Sequence, residues 1–127
     1  MENYTSEGSS KTPLIYFDLM AGTLDIKGRS VPENPYEFYV PLLNAIDEYT
    51  LSSQPCTTVN VHLEYFNTTS SKCLLDVFKK FESIHKDGNT VTVNWKYENE
   101  DYDMLEAGQD YKEMIDLPFQ MMEVNEK

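Results

Sequence analysis

Val59-Asn60-Val61-His62-Leu63-Glu64-Tyr65-Phe66-Asn67-Thr68-Thr69-Ser70-Ser71-Lys72 is the stretch around which the chain is organised. Val59, Val61, Leu63 and Tyr65 alternate with Asn60, His62 and Glu64, the two-residue period of a strand with one buried face. Four consecutive hydroxyl residues follow Asn67, and beyond Lys72 the apolar residues Leu74, Val77, Phe78, Phe81 and Ile84 recur at helical spacing. Where a strand passes into a helix in this way, free backbone N–H groups and the positive end of the helix dipole favour an anion. A phosphoryl group on one of these hydroxyls is tolerated locally and changes the surface strongly. The same residues also serve as plain helix caps, because Ser and Thr are preferred there for purely local reasons.

Outward from this junction the pattern repeats. Gly88 marks the turn after the helix, and Val91, Val93, Trp95 and Tyr97 alternate with Thr92, Asn94 and Lys96 as a second half-buried strand. A further helix is expected from about Asp101 to Asp116 around Leu105, Tyr111, Met114 and Ile115, ended by Pro118, with Phe119 to Val124 as a last strand. Upstream, Leu14–Asp18 and Leu24–Ile26 flank the turn at Ala21-Gly22-Thr23 as a candidate hairpin. The loop from Gly28 to Asn34 leads into a helix start with Asn34 as N-cap, Pro35 in the first turn and Glu37 completing a capping-box-like pattern. Pro41 predicts an interruption, with one turn over Pro35–Tyr39 and a second start or kink at Pro41, after which Leu42, Leu43, Ile46 and Tyr49 are buried.

The element order is thus ββαβαβαβ, an α/β fold whose later strands pair in parallel through right-handed crossovers. Strands covered on both faces are apolar throughout. These strands alternate, so the expected mixed sheet carries its helices mainly on one face and leaves the other comparatively open. No internal repeat or heptad pattern is present.

A chain of 127 residues with 40% hydrophobic and 13% aromatic content can bury roughly two-thirds of its unfolded surface as one unit. The expected organisation is a flexible N-terminal tail over residues 1–11, a single domain over 12–124 and a short C-terminal tail over 125–127. Ten basic against 22 acidic residues give a net charge of −12, which repels nucleic acid and anionic membranes and favours a partner with a basic surface. Cys56 and Cys73 fit neither a zinc motif nor a disulfide framework and read as reduced thiols. The polar N-terminus has no apolar signal region, and no run reaches the length of a membrane span, so a cytoplasmic protein without membrane insertion is expected.

Residues in patterns that carry chemistry are few. The acidic run Glu98-Asn99-Glu100-Asp101-Tyr102-Asp103-Met104-Leu105-Glu106 lacks the spacing and glycine of a calcium loop, and acidic residues at a helix start complement the dipole, so a solvated or partner-facing surface is expected and no metal. His62 falls on the polar face of its strand and His85 near a helix end, both read as surface residues without a nucleophile motif. Gly22, Gly28, Gly88 and Gly108 are isolated and build no phosphate loop, so no catalytic residue and no cofactor is assigned. Arg29, the only arginine, sits where it could fork onto a carboxylate or a phosphate, or simply close a structural ion pair. A small hydrolase using the acidic run stays open as a separate reading.

Several segments together resemble the SiaC family of bacterial regulatory phosphoproteins. They are Thr12-Pro13, Gly28-Arg29-Ser30-Val31-Pro32-Glu33-Asn34, Phe38-Tyr39-Val40-Pro41-Leu42-Leu43, Tyr65 to Lys72, Asp103-Met104-Leu105-Glu106-Ala107-Gly108 and Leu117-Pro118-Phe119. Val31 stands where the family pattern has an aromatic residue and Thr69 where serine is usual; neither removes the hydroxyl after Asn67. The resemblance implies a non-enzymatic switch phosphorylated on Thr68 by a dedicated serine/threonine kinase and reset by a metal-dependent serine/threonine phosphatase. It further implies that the unphosphorylated form binds and activates a diguanylate cyclase, raising cyclic di-GMP and promoting biofilm growth. By the same resemblance the partner surface comprises Arg29, Glu33, Asn34, Asn67, Thr69, Ser70, Ser71 and Lys72. The implied fold is similar to the STAS-like anti-anti-sigma factors, and an antagonist that sequesters an anti-sigma kinase to control transcription is the alternative reading.

Overall fold

The alternating run becomes β4 (Cys56–Phe66), and a single residue separates it from α2 (Thr68–Lys86). The computed structural model describes residues 3–125, and the remaining elements are β1 (Tyr4–Ser6), β2 (Leu14–Asp18), β3 (Thr23–Ser30), α1 (Pro35–Thr50), β5 (Thr90–Glu98), α3 (Tyr102–Met114) and β6 (Phe119–Val124). The six strands lie in one mixed sheet in the spatial order β1 to β6. β1, β2 and β3 pair antiparallel, and β3 through β6 pair in parallel. Each parallel neighbour is reached through one helix. Right-handed crossovers that advance in one direction put all three helices on the same face.

Burial follows that geometry. Val59, Val61 and Leu63 of β4 and Val91, Val93 and Trp95 of β5 are buried beneath the helices, while Asn60, His62, Asn94 and Lys96 are half-buried on the open face. On that face Asn94 Nδ2 donates to Asn60 Oδ1 and Asn60 Nδ2 to Asp25 Oδ1, both at 2.9 Å, a polar ladder across three strands. The core under α2 and α3 is aromatic: Phe78 meets Tyr111 at 5.0 Å, Phe119 at 5.2 Å and Trp95 at 6.3 Å between centroids. Gly108 lets α3 approach this cluster, since a Cβ there would lie 2.4 Å from Trp95 Cδ1.

Four expectations need correction. The stretch expected to be a flexible tail contributes β1, which pairs with β2 while Asn3 Oδ1 accepts from the Leu19 N–H at 3.0 Å. Residues 1 and 2, and 126 and 127 of the expected C-terminal tail, lie outside the described residues. Pro41 does not break α1, which is continuous. Its missing N–H frees only the Glu37 carbonyl, both residues are exposed, and water can solvate that group while Tyr39, Leu42, Ile46 and Tyr49 stay fully buried. β3 extends through Gly28-Arg29-Ser30, expected as loop. The histidines are tied into the structure: His62 Nε2 lies 2.6 Å from Glu98 Oε2, and His85 Nδ1 accepts from the Val91 N–H at 3.2 Å.

No helix among the described residues is long and apolar enough to cross a membrane.

Candidate functional site

Asn67 stays extended (φ −83°, ψ 172°) and its Oδ1 accepts from the Ser70 N–H at 2.8 Å, which ends β4 and starts α2 in one residue. The Asn67 N–H donates to the Ser30 carbonyl at 3.2 Å, fastening the junction to the end of β3. Thr68 is the first residue of α2 and is exposed. Its N–H and that of Thr69 donate to no acceptor among the described residues, as expected for the first turn of a helix. Ser71 Oγ turns back to the Thr68 carbonyl at 2.6 Å.

Ser70 behaves differently from its neighbours. It is fully buried, so the expectation that its side chain faces a partner is wrong. Ser70 lies on the stripe continued by Cys73, Leu74, Val77 and Phe78, and the helical period turns it inward. Ser30 Oγ donates to Ser70 Oγ at 2.9 Å and lies 2.7 Å from the Tyr39 hydroxyl, which therefore donates to Ser30. Burial pushes the Tyr39 hydroxyl up to about 12, with the Ser30 hydrogen bond opposing and Cys73 adding to the rise. On the far side the Tyr111 hydroxyl donates to the Ser71 carbonyl at 2.7 Å, and burial raises its pKa well above the ordinary tyrosine value, Tyr39 adding to the rise. Burial likewise raises Cys73. The first turn of α2 is thus anchored to β3, α1 and α3 together.

Beside this junction the two strands slip in register. Gly28 pairs with Leu63 but Arg29 pairs with Tyr65, which leaves Glu64 opposite no residue of β3. Gly28 takes φ 116°, a conformation that side chains disfavour. The slip reverses the alternation, so Tyr65, expected on the buried face, is 51% exposed. Phe66 packs inward on Trp95 instead, at 6.2 Å between centroids. Arg29 lies over the Tyr65 ring with its guanidinium carbon 5.7 Å from the centroid.

Two adjoining depressions open beside the β4–α2 junction, both reaching Phe66. One, of about 210 Å³, lies between α2 and α3 and is lined by Phe66, Ser71, Lys72, Leu75, Ala107, Asp110, Tyr111 and Met114. The other, of about 360 Å³, shares Phe66 and Ala107 and adds Glu64, Tyr65, Asp101, Asp103 and Met104. Their apolar floor and mainly acidic rim suit a protein partner that brings apolar and basic side chains. Asp101 is the N-cap of α3, accepting from the Met104 N–H at 3.1 Å, so part of the acidic run is a helix start. No group of three or more His, Cys, Asp or Glu side chains suited to a metal occurs among the described residues.

The structure brings Arg29, Asn67, Thr68, Thr69, Ser71 and Lys72 to one end of the sheet. Glu33 and Asn34 stand apart from the α2–α3 depressions: they line a shallow depression with Tyr4, Ser6, Glu37, Phe38 and Pro41, and Asn34 caps α1 through the Glu37 N–H at 3.2 Å. Tyr65 and Met114, 51% and 58% exposed, were missed as surface residues. An isolated Gly28 followed by a lone arginine was the available hint of a slip, because a glycine within a strand often marks a bulge.

Comparison with known proteins agrees along the whole fold. The sequence profile described as SiaC family regulatory phosphoprotein matches residues 6–124. An uncharacterized protein of Pseudomonas aeruginosa strain UCBPP-PA14 is 30% identical over 112 residues, 88% of this chain and 89% of its own. SiaC of Pseudomonas aeruginosa superposes with a TM-score of 0.90 at 27% identity, covering 98% of this chain and 100% of the other. A second similar structure is that of the diguanylate cyclase SiaD of that organism in complex with its activator SiaC, matched with a TM-score of 0.90 at 27% identity over 95% of this chain and 99% of the other. With the profile spanning β2 through β6 and the hydroxyl junction between β4 and α2, the chain belongs to the SiaC family of regulatory phosphoproteins.

Proposed function

We propose that this protein is a non-enzymatic switch whose phosphoacceptor is Thr68 and whose unphosphorylated form binds and activates a diguanylate cyclase in the cytoplasm. A serine/threonine kinase sets the switch and a metal-dependent phosphatase resets it. The observation that carries the reading is the position of Thr68: exposed, first in α2, and one helical turn before Ser71 and Lys72, which line a depression with an apolar floor. The activator role of the Pseudomonas aeruginosa relative toward SiaD supports the choice of effector.

Phosphorylation adds about 1.5 to 2 negative charges and three acceptor oxygens at that edge. A partner docked over the depressions would have to bury the dianion, which is costly unless a basic group meets it. Because the first turn of α2 is anchored on three sides, the switch acts through charge at a fixed surface rather than by refolding the helix. Incubation with the kinase and ATP, followed by mass-spectrometric mapping, tests the assignment. Phosphate is expected mainly on Thr68; phosphate mainly on Thr69 or Ser71 refutes it.

A further inference from the structure

Arg29 is an unusual residue in this chain. It is the one arginine among ten basic residues facing 22 acidic ones, yet among the described residues it makes no ion pair with a carboxylate and rests on the Tyr65 ring. An exposed guanidinium held only by stacking remains available to a stronger anion, and the fork geometry of arginine matches a phosphate.

The backbone sets the distance. Ser30, next after Arg29, accepts from the N–H of Asn67, next before Thr68. Arg29 is the register partner of Tyr65, and Thr68 lies three residues further along the chain. Strand rise and spacing then put the two Cα atoms about 10 Å apart, within the combined reach of an extended arginine and a phosphothreonine. Lys72 stands one helical turn beyond Thr68, but it lines the α2–α3 depression together with Asp110.

We propose that Arg29 is the internal phosphate ligand of the switch: on phosphorylation its guanidinium leaves Tyr65 and forks onto the phosphate of Thr68. This rests on Thr68 being the phosphoacceptor. A partner that reads the exposed Arg29–Tyr65 stack then meets a bare tyrosine ring and a neutralised arginine. Phosphorylation in this way alters the surface on the open side of β4 as well as at the helix start.

The test installs phosphothreonine at position 68 by genetic encoding, so the pairing is read without any kinase. ³¹P NMR titration then follows the second phosphate ionisation in the otherwise unaltered protein and in Arg29→Ala, Arg29→Lys and Lys72→Ala backgrounds. With Arg29 present the pKa lies about half a unit to one unit below that in Arg29→Ala, roughly a three- to tenfold change in proton affinity. Arg29→Lys is expected between the two, and Lys72→Ala close to the parent. In the unmodified protein the Arg29 side-chain protons carry the ring-current shift of Tyr65, and phosphothreonine removes it. Equal pKa values with and without Arg29, or a rise only in Lys72→Ala, overturn the proposal. A kinase that modifies another residue would defeat the assignment of Thr68 as acceptor and leave this titration readable, so the two failures are distinct.

Discussion

Replacing Ser30 with alanine cuts the buried hydroxyl chain that fastens the start of α2 to β3 and α1. The lost Oγ holds two hydrogen bonds, 2.7 Å to Tyr39 and 2.9 Å to Ser70, and all three residues are fully buried. The lost hydrogen bond to Ser70 contributes about 1 kcal/mol, and a buried hydroxyl left without an acceptor costs about 1 to 3 kcal/mol. The Tyr39 hydroxyl is the group left in that position, so Ser30→Ala is expected to destabilise the protein by about 2 to 4 kcal/mol, roughly 10 °C in thermal midpoint. Urea denaturation followed by the fluorescence of Trp95, the single and fully buried tryptophan, measures this directly. A thermodynamic cycle with Tyr39→Phe adds a sharper criterion. The double variant no longer carries the orphaned hydroxyl, so it should be more stable than the sum of the single losses predicts, by about 1 kcal/mol. A loss below about 0.5 kcal/mol with an unchanged denaturant slope, or strict additivity, refutes the anchoring argument.

Gly108→Ala drives a methyl group to within 2.4 Å of Trp95 Cδ1 and 2.6 Å of Nε1, the nitrogen that donates to the Met104 carbonyl. Overpacking of about 1 to 3 kcal/mol outweighs the roughly 1 kcal/mol gained in helix propensity, so a lower thermal midpoint is expected, and an unchanged or higher one contradicts the packing. Alkaline pH is predicted to unfold the protein. Tyr39, raised to about 12, and Tyr111, also raised, stay protonated in the fold while an unfolded tyrosine ionises near 10. The unfolded chain then binds fewer protons, so their contribution to stability is intact below about pH 10 and is lost as pH rises through 12. Stability that stays level between pH 9.5 and 12 in a denaturation series (roughly the window set by those ionisations) would refute the assignment. At the switch itself, Thr68→Ala is expected to keep effector binding and Thr68→Asp to weaken it less than phosphate does, because a single carboxylate charge replaces a dianion only in part; a pull-down with all three forms distinguishes them.

Periodicity carried most of the fold because burial acts residue by residue along a strand or helix. Val59 to Leu63, Val91 to Trp95 and the stripe from Leu74 to Ile84 read as they fold, and so does the proline-led start of α1. What was not legible depends on pairing between distant segments. β1 is only three residues long and exists through its ladder with β2. The slip at Gly28 reverses the phase of Tyr65 and Phe66, which alternation alone cannot anticipate. Ser70 was readable in principle, since it stands three residues before Cys73 and four before Leu74 on the buried stripe. Within the hydroxyl run that spacing separates the buried serine from the exposed Thr68.

Phosphate at Thr68 is expected to control the effector complex. Isothermal titration of a diguanylate cyclase with the unmodified protein and with protein carrying phosphothreonine at 68, joined to the cyclase rate in the same mixtures, is the most direct measurement. The unmodified form is predicted to bind and to raise the cyclase rate, and the phosphorylated form to lose about tenfold or more in affinity, at least 1.4 kcal/mol, together with the activation. Equal affinity and equal activation by the two forms would contradict it.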